Sequence, residues 1–420
     1  MILYRLFLLF YPILAKLIRP FNEKAKHWID GQQKVWDEIS VLSSQIKGPI
    51  IWVHCASYGE FEQGSPIISA LKKTYPTHQI WVTFFSPSGY LHRKPHPAVD
   101  FVSYLPFDSP SAATQWMEMV QPKCIVFIKY EFWYYYLKLA AVNKIPTFLA
   151  SAVFRPDQIF FKFYGGFYTS MLQLFTGILV QDIHSKNLIA PLLKDTHLQI
   201  TGDTRFDRVL DIAATKKSID WVSKLAEGKI IVTGSTWEDD HQIIGSVSAQ
   251  LNQCNWIIVP HHVDAASIKA CQSHFKNAIC LSEWLTQSDL MEKPVVLIID
   301  QIGILSQLYQ YADIAYIGGG FTKDGIHNVL EAAVFGKPVI WGPNDLKYPE
   351  AIGLRNAHGG IQIKDAITLN EKINQLLKDA SFSKAIGDEA LKFVQAHAGA
   401  TQKTMDCIKQ IYVSPIDQTL

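Results

Sequence analysis

Short apolar runs, continuous rather than alternating, recur along most of the chain, separated by amphipathic stretches. In the first half, residues 50–56, 79–85, 101–105, 124–129, 147–152, 178–181 and 198–201 are strand candidates; in the second, 229–233, 256–259, 295–299, 314–317, 338–341 and 360–363. Runs of Val, Ile and Phe without alternation belong to strands buried on both faces, as in parallel sheets covered by helices. Stretches such as 64–74 and 111–120 can supply the crossover helices. Two such blocks meet near a charged helical stretch at 211–227. The expected fold is therefore α/β, with two doubly wound Rossmann-like domains facing a central cleft. Ligands in such folds lie beyond the carboxyl ends of the strands.

The N-terminus breaks this rhythm. From Leu6 to Ile18 the chain is apolar apart from Lys16, and Arg5 and Arg19 flank the run. As a helix it would be about 20 Å long, against about 30 Å of hydrocarbon in a bilayer. No small-residue cleavage site follows, which argues against a signal peptide. Two readings stay open: a first helix packed into the domain, and the favoured one, a short anchor or in-plane membrane helix. Lys16, Arg19, Lys24 and Lys26 put the domain that follows on the cytoplasmic side.

Composition adds exclusions. With 48% hydrophobic and 18% charged residues the chain is not disordered, and a net charge of +1 gives no reason to expect nucleic acid. The six cysteines show no C-x-x-C spacing and read as buried thiols.

Chemistry concentrates where strands are expected to end. Trp52-Val-His-Cys-Ala-Ser57-Tyr-Gly59-Glu60 runs from a strand into a helix start. Gly59 permits a tight turn with positive φ, and Glu60 is a carboxylate placed to serve as a base, or merely to favour the helix dipole. Glu131 in Lys129-Tyr-Glu131-Phe-Trp133 is a second such carboxylate. Gly318-Gly319-Gly320 leads towards a helix expected to start near His327–Asn328, a pattern suited to a phosphate, with Asn328 as cap and Glu331 one turn on from His327. Ser235-Thr236 occupies the first βα turn of the second block, as a nucleotide contact or a simple helix cap. His261-His262 suggests nucleotide hydrogen bonds rather than a metal, since adjacent residues do not face one another. Arg205 is a candidate for an anionic ligand, or for an ion pair with Asp203 or Asp207.

Together these motifs resemble the Kdo (3-deoxy-D-manno-octulosonic acid) transferases, glycosyltransferase family 30, from the N-terminus to about residue 400. The family's H-x-A-S-x-G-E is matched by His54 to Glu60, its E-x-E-x-W by Lys129 to Trp133, and its G-x-x-K-F-D by Gly202 to Asp207. Its S-T-x-x-x-E is matched in part by Ser235-Thr236, its P-R-H by Pro260-His261-His262, and its G-G-H-N-x-x-E by Asp324 to Glu331. Lys129, His261 and Arg205 stand where the family has Glu, Arg and Lys, the mark of a divergent member.

The resemblance implies a GT-B fold, CMP-Kdo as donor, a lipid A precursor (lipid IV-A) as acceptor, inversion at the Kdo anomeric centre, and no metal or other cofactor. It makes Glu60 the general base, with Glu131 as the second catalytic carboxylate. Donor-binding residues would be Arg205, Ser235, Thr236, His261, His262, Gly319, Gly320, His327, Asn328 and Glu331; acceptor-binding residues would be Ser57, Gly59 and Arg155. Residues 1–20 would be the membrane anchor, 21–212 the acceptor-binding domain, and 213–420 the CMP-Kdo-binding domain, its last helix a candidate to cross back to the first. The expected setting is the cytoplasmic face of the inner membrane, where aromatic and basic residues in 154–164 would share the membrane face with residues 1–20. The competing readings are a GT-B enzyme using a UDP-sugar and another lipid acceptor, a UDP-sugar epimerase, and a membrane-attached binding protein.

Overall fold

A computed structural model describes residues 1–92, 95–215, 217–225, 228–287 and 295–412. The chain divides into two compact units: Met1–Arg208 together with the stretch from Ala398 onwards, and Val209–His397. The change of unit falls within the helix Thr204–Thr215, as does the boundary expected at residue 212. Of the expected break at 211–227, Lys216, Ala226 and Glu227 lie outside the described residues.

The first unit holds seven parallel strands: β1 (Ile50–Cys55), β2 (Gln79–Phe84), β3 (Phe101–Tyr104), β4 (Pro122–Ile128), β5 (Thr147–Ala152), β6 (Gly177–Val180) and β7 (His197–Ile200). Their order is β3-β2-β1-β4-β5-β6-β7, so the winding reverses between β1 and β4. Every residue of β1 and β5 is buried, as unbroken apolar runs demand. The β1/β2 register sets Trp52 beside Trp81 and His54 beside Thr83. One face of the sheet packs Trp52, Trp81, Trp116 and Tyr136; the other packs Ile51, Val53, Ile67 and, from the chain's last helix, Met405 and Ile408.

The second unit holds β8 (Ile230–Thr236), β9 (Asn255–Pro260), β10 (Ile279–Cys280), β11 (Val296–Ile298), β12 (Ile314–Ile317), β13 (Val339–Trp341) and β14 (Gly360–Gln362), in the order β10-β11-β9-β8-β12-β13-β14. All described pairings are parallel, and the winding reverses between β8 and β12. The two-residue β10 carries no periodic signal, which is why the apolar pattern passes over it.

The N-terminal helix, Ile2–Ile18, departs from expectation. Its 17 residues extend for about 25 Å. Among the described residues no helix is long and apolar enough to cross a membrane. One face packs onto the first unit: Tyr4 and Ala15 are buried, and Tyr11 stacks on Phe107 and meets Trp28 edge-on. The opposite face leaves Leu6, Leu9, Phe10, Ile13, Leu14 and Leu17 exposed. The helix is thus packed and outwardly apolar at once.

The segment 154–164 also divides. Phe154 and Phe160 belong to the core, so the membrane contact expected of Phe160 is corrected; Phe163 and Tyr164 are exposed.

Candidate active site

In the first unit, the candidate residues come from the carboxyl ends of β1, β4, β5 and β7. Ser57 is the N-cap of the helix Tyr58–Thr74, and its N–H donates to Glu60 Oε2 at 3.1 Å. Glu60 nonetheless differs from an ordinary capping acid. Burial and the nearby Glu131 charge push its carboxyl up to about 7, against the pull of backbone N–H groups and Lys129. Gly59 lies inside the helix rather than at a positive-φ turn, and a Cβ there would meet nothing within 4 Å. The glycine leaves open space beside Glu60; it does not make the turn.

Lys129, directly after β4, has a φ of 72°, a left-handed conformation costly for a side-chain-bearing residue. After this kink, Glu131 Oε2 accepts from the Trp133 indole at 2.7 Å and contacts His54 Nε2 at 3.1 Å. His54 Nδ1 lies 2.8 Å from the Thr83 hydroxyl, which also accepts from the Trp52 indole at 2.7 Å. A Thr83 hydroxyl that donates to Nδ1 leaves the Nε2–H for the carboxylate. His54 was missed as a site residue, although it stands in the matched motif; only the β1/β2 register shows that it faces Thr83.

Arg205 pairs with Asp203 at 2.7 Å, the first of the two ion pairs expected for it. Asp207 instead accepts from the N–H groups of Gly399 and Thr401, each at 2.6 Å, and so clamps the start of the last helix. Arg155 is exposed, and the Arg155 and Arg205 charges both act on the Tyr130 phenol, which places them about the β4 loop.

In the second unit, the candidates gather at the ends of β8, β9 and β12. Ser235 and Thr236 are not a βα turn: they close β8 across a bulge, with Ser235 at φ 54°. Thr236 is buried, and its hydroxyl lies 2.9 Å from His241 Nε2. The helix that follows is capped by neither: Trp237 is its N-cap, and the Trp237 N–H donates to Asp240 at 2.9 Å.

The triple-glycine turn also works differently from expectation. The Gly319 N–H donates to Asp240 Oδ2 at 2.8 Å, so it is not held out towards a phosphate. A Cβ on Gly320 would come within 2.5 Å of the Gly342 N. These glycines allow backbone to pack on backbone. The helix beyond them begins at Leu330, not at His327, and has four residues. Asn328 instead accepts from the Leu330 N–H at 3.1 Å and donates to Glu331 at 3.3 Å.

His327 turns back towards β8 and β9. The Trp237 indole donates to His327 Nε2 at 2.9 Å, and His261 stacks on both the Trp237 and His327 rings at 4.5 and 4.6 Å. His262 meets Trp237 edge-on. Burial and the His261 charge lower His327 to about 4, so it is a neutral ring. A cavity of about 160 Å³ opens beside this cluster, lined by Trp237, His241, Pro260, His261 and His262. Among the described residues no three His, Cys, Asp or Glu side chains are grouped to hold a metal ion.

Two doubly wound parallel sheets with candidate residues at the carboxyl ends of their strands resemble the GT-B glycosyltransferases. The fold agrees with known structures. A UDP-N-acetylglucosamine 2-epimerase superposes with a TM-score of 0.58 at 17% identity, covering 87% of this chain and 96% of that one. A glycosyltransferase from Rickettsia africae does so with a TM-score of 0.55 at 11% identity, covering 87% and 99%. At such identities the likeness concerns the fold alone. A family model described as 3-Deoxy-D-manno-octulosonic-acid transferase (kdotransferase) matches residues 31–208. The 3-deoxy-D-manno-octulosonic acid transferase of Aquifex aeolicus is 29% identical over 343 residues, 78% of this chain and 86% of the relative. That of Haemophilus influenzae is 26% identical over 370 residues, 86% of each. These matches support a Kdo transferase, a glycosyltransferase of lipopolysaccharide biosynthesis.

Proposed function

We propose that the protein transfers Kdo from CMP-Kdo to a lipid A precursor, lipid IV-A, with inversion at the anomeric carbon and Glu60 as general base. What carries this reading is the partly buried Glu60 carboxyl just beyond β1, raised to about 7 by burial and by the nearby Glu131 charge. A base works best when its pKa lies near the operating pH. In the proposed step Glu60 takes the proton of an acceptor hydroxyl as that oxygen bonds to the anomeric carbon of Kdo. The bond from that carbon to the CMP phosphate oxygen breaks, and its electron pair leaves with CMP. Glu131, held by Trp133 and His54, is the neighbouring carboxylate that helps to raise the Glu60 carboxyl. Ser57, the open space at Gly59 and the Arg155 guanidinium are the proposed acceptor contacts. Arg205, Ser235, His262, Asn328 and Glu331 are proposed to meet the donor, with the Trp237–His261–His327 cluster as an aromatic surface for its base.

The proposed setting is the cytoplasmic face of the inner membrane, with the helix Ile2–Ile18 lying in the membrane plane. A packed helix with an apolar outer face suits an interface. Mass spectrometry of lipid IV-A incubated with CMP-Kdo and the purified protein tests the reading. Products heavier by one or more Kdo units are expected, and an unmodified acceptor rejects it.

A further inference from the structure

The helix Tyr134–Val142 begins directly after Trp133, and Trp133 gives it no side-chain cap. The first N–H groups of a helix have no partner within it, and each must be satisfied from elsewhere. Here the partners come from two distant parts of the chain. The Tyr134 N–H donates to the Tyr4 hydroxyl at 3.1 Å, and the Tyr135 N–H donates to Asp108 Oδ2 at 3.1 Å. The Tyr4 hydroxyl donates in turn to the same Asp108 oxygen. Both side chains are buried, at 4% and 1% exposure. Tyr4 lies in the helix Ile2–Ile18, and Asp108 lies just beyond β3. Ring contacts run alongside the bonds: Tyr4 meets Tyr134 and Phe167, Phe7 meets Phe107, and Phe107 meets Trp133. Trp133 is where this path ends, and its indole holds Glu131.

We propose that Tyr4 and Asp108 are positioning residues of the transfer reaction: the N-terminal helix caps Tyr134–Val142 and thereby holds Trp133 and Glu131 in place. The proposal rests on the reading of Glu131 as a carboxylate of the active site. Asp108 is an expensive choice for packing alone, since burial pushes its carboxyl up to about 6. What it supplies is a strong acceptor for two donors at once. The same short helix therefore carries an exposed apolar face and, on its inner side, the cap of the helix behind Glu131. Seating that helix and ordering the Glu131 loop become one event.

The test uses the full chain with CMP-Kdo and lipid IV-A in mixed micelles, beside hydrogen exchange of residues 129–137. Tyr4→Phe and Asp108→Ala are each expected to lower kcat about tenfold, the worth of a lost cap, and to leave KM for CMP-Kdo unchanged. Exchange at the Tyr134 and Tyr135 N–H groups should rise by about the same factor. Asp108→Asn, whose amide oxygen can accept both bonds, should recover most of the loss. A kcat within twofold of wild type in Tyr4→Phe and Asp108→Ala overturns the proposal. Unchanged exchange at Tyr134 and Tyr135 also overturns it, as does a rise spread evenly over the first sheet. The exchange arm needs no substrate. If the wild-type protein transferred no Kdo, the functional reading would fail while exchange still decided the capping.

Discussion

Trp237 and His327 are joined by a bond from the indole N–H to Nε2, 2.9 Å long. Because Nε2 accepts, the single proton of the neutral imidazole lies on Nδ1. His327 is held to about 4, and His241 to about 4 as well, in both cases first by burial. For these groups the folded pKa lies below the unfolded value. Their contribution to stability is complete above about pH 6.5 and is lost as the pH falls towards 4. Nitrogen-15 NMR of labelled histidine should show an Nδ1-protonated His327 with a midpoint near 4. A midpoint at 6 or above would remove the ring from this cluster.

As the proposed base, Glu60 should set the acid limb of the reaction. With a carboxyl at about 7, kcat/KM should fall as the pH drops below neutrality, tenfold per unit, because the base is then protonated. Glu60→Gln should lower turnover by about 10²–10⁴-fold with donor binding retained. The stability effect runs the other way. A raised acid pKa means that folding disfavours the ionised form, so wild-type stability is lost as the pH rises from about 4.5 to about 7. The Gln variant should gain on the wild type across that window. Melting curves at several pH values measure the difference, and a constant gap would show that Glu60 is not perturbed.

Asp240 ties together the loops that follow β8 and β12. It accepts from the Tyr316 hydroxyl at 2.6 Å, the Gly319 N–H at 2.8 Å and the Trp237 N–H at 2.9 Å. Asp240→Ala leaves three donors buried without a partner and is expected to cost about 2–5 kcal/mol of stability. Thermal unfolding reports it, and a change in melting temperature under 2 °C would contradict the role.

Phe160 and Phe163 should behave as opposites although only two residues separate them. Phe160 packs against Phe132 and Phe154, whereas Phe163 is fully exposed. Phe160→Ser is expected to destabilise by about 3–5 kcal/mol. Phe163→Ser, combined with Phe10→Ser and Leu17→Ser on the N-terminal helix, should leave the melting temperature nearly unchanged and lower binding to anionic liposomes. Undiminished binding of the triple variant would exclude this surface as the membrane contact.

These contrasts mark how far the sequence could be read. Most strands were legible because they are apolar runs buried on both faces, as in β1 and β5; β7 and β14 are partly exposed, and the two-residue β10 left no signal. The placement of Glu60 and Glu131 just beyond strand ends was legible because a strand followed by a carboxylate is a local signal. Their coupling was not local, because it depends on β1 and β4 being neighbours across the reversal of winding. His54 stayed hidden because its partner, Thr83, lies on another strand. The glycines at 318–320 showed where backbone comes close, but not that it was backbone meeting backbone. The helix expected at His327 failed for a different reason: Asn328 bonds to the Leu330 N–H in a local turn that competes with a helical start.

The last helix, Ala400–Ile411, has a consequence for how the protein is made. Met405, Cys407, Ile408 and Tyr412 complete the apolar face that Ile51, Val53 and Ile67 begin. The chain thus leaves the first unit at Arg208 and returns to it at Ala398. On a ribosome, the first unit must wait with one wall open until the whole of the second has been synthesised. A polypeptide stopped at Arg208 would expose that wall to water. The second unit, continuous from Val209 to His397, faces no such delay.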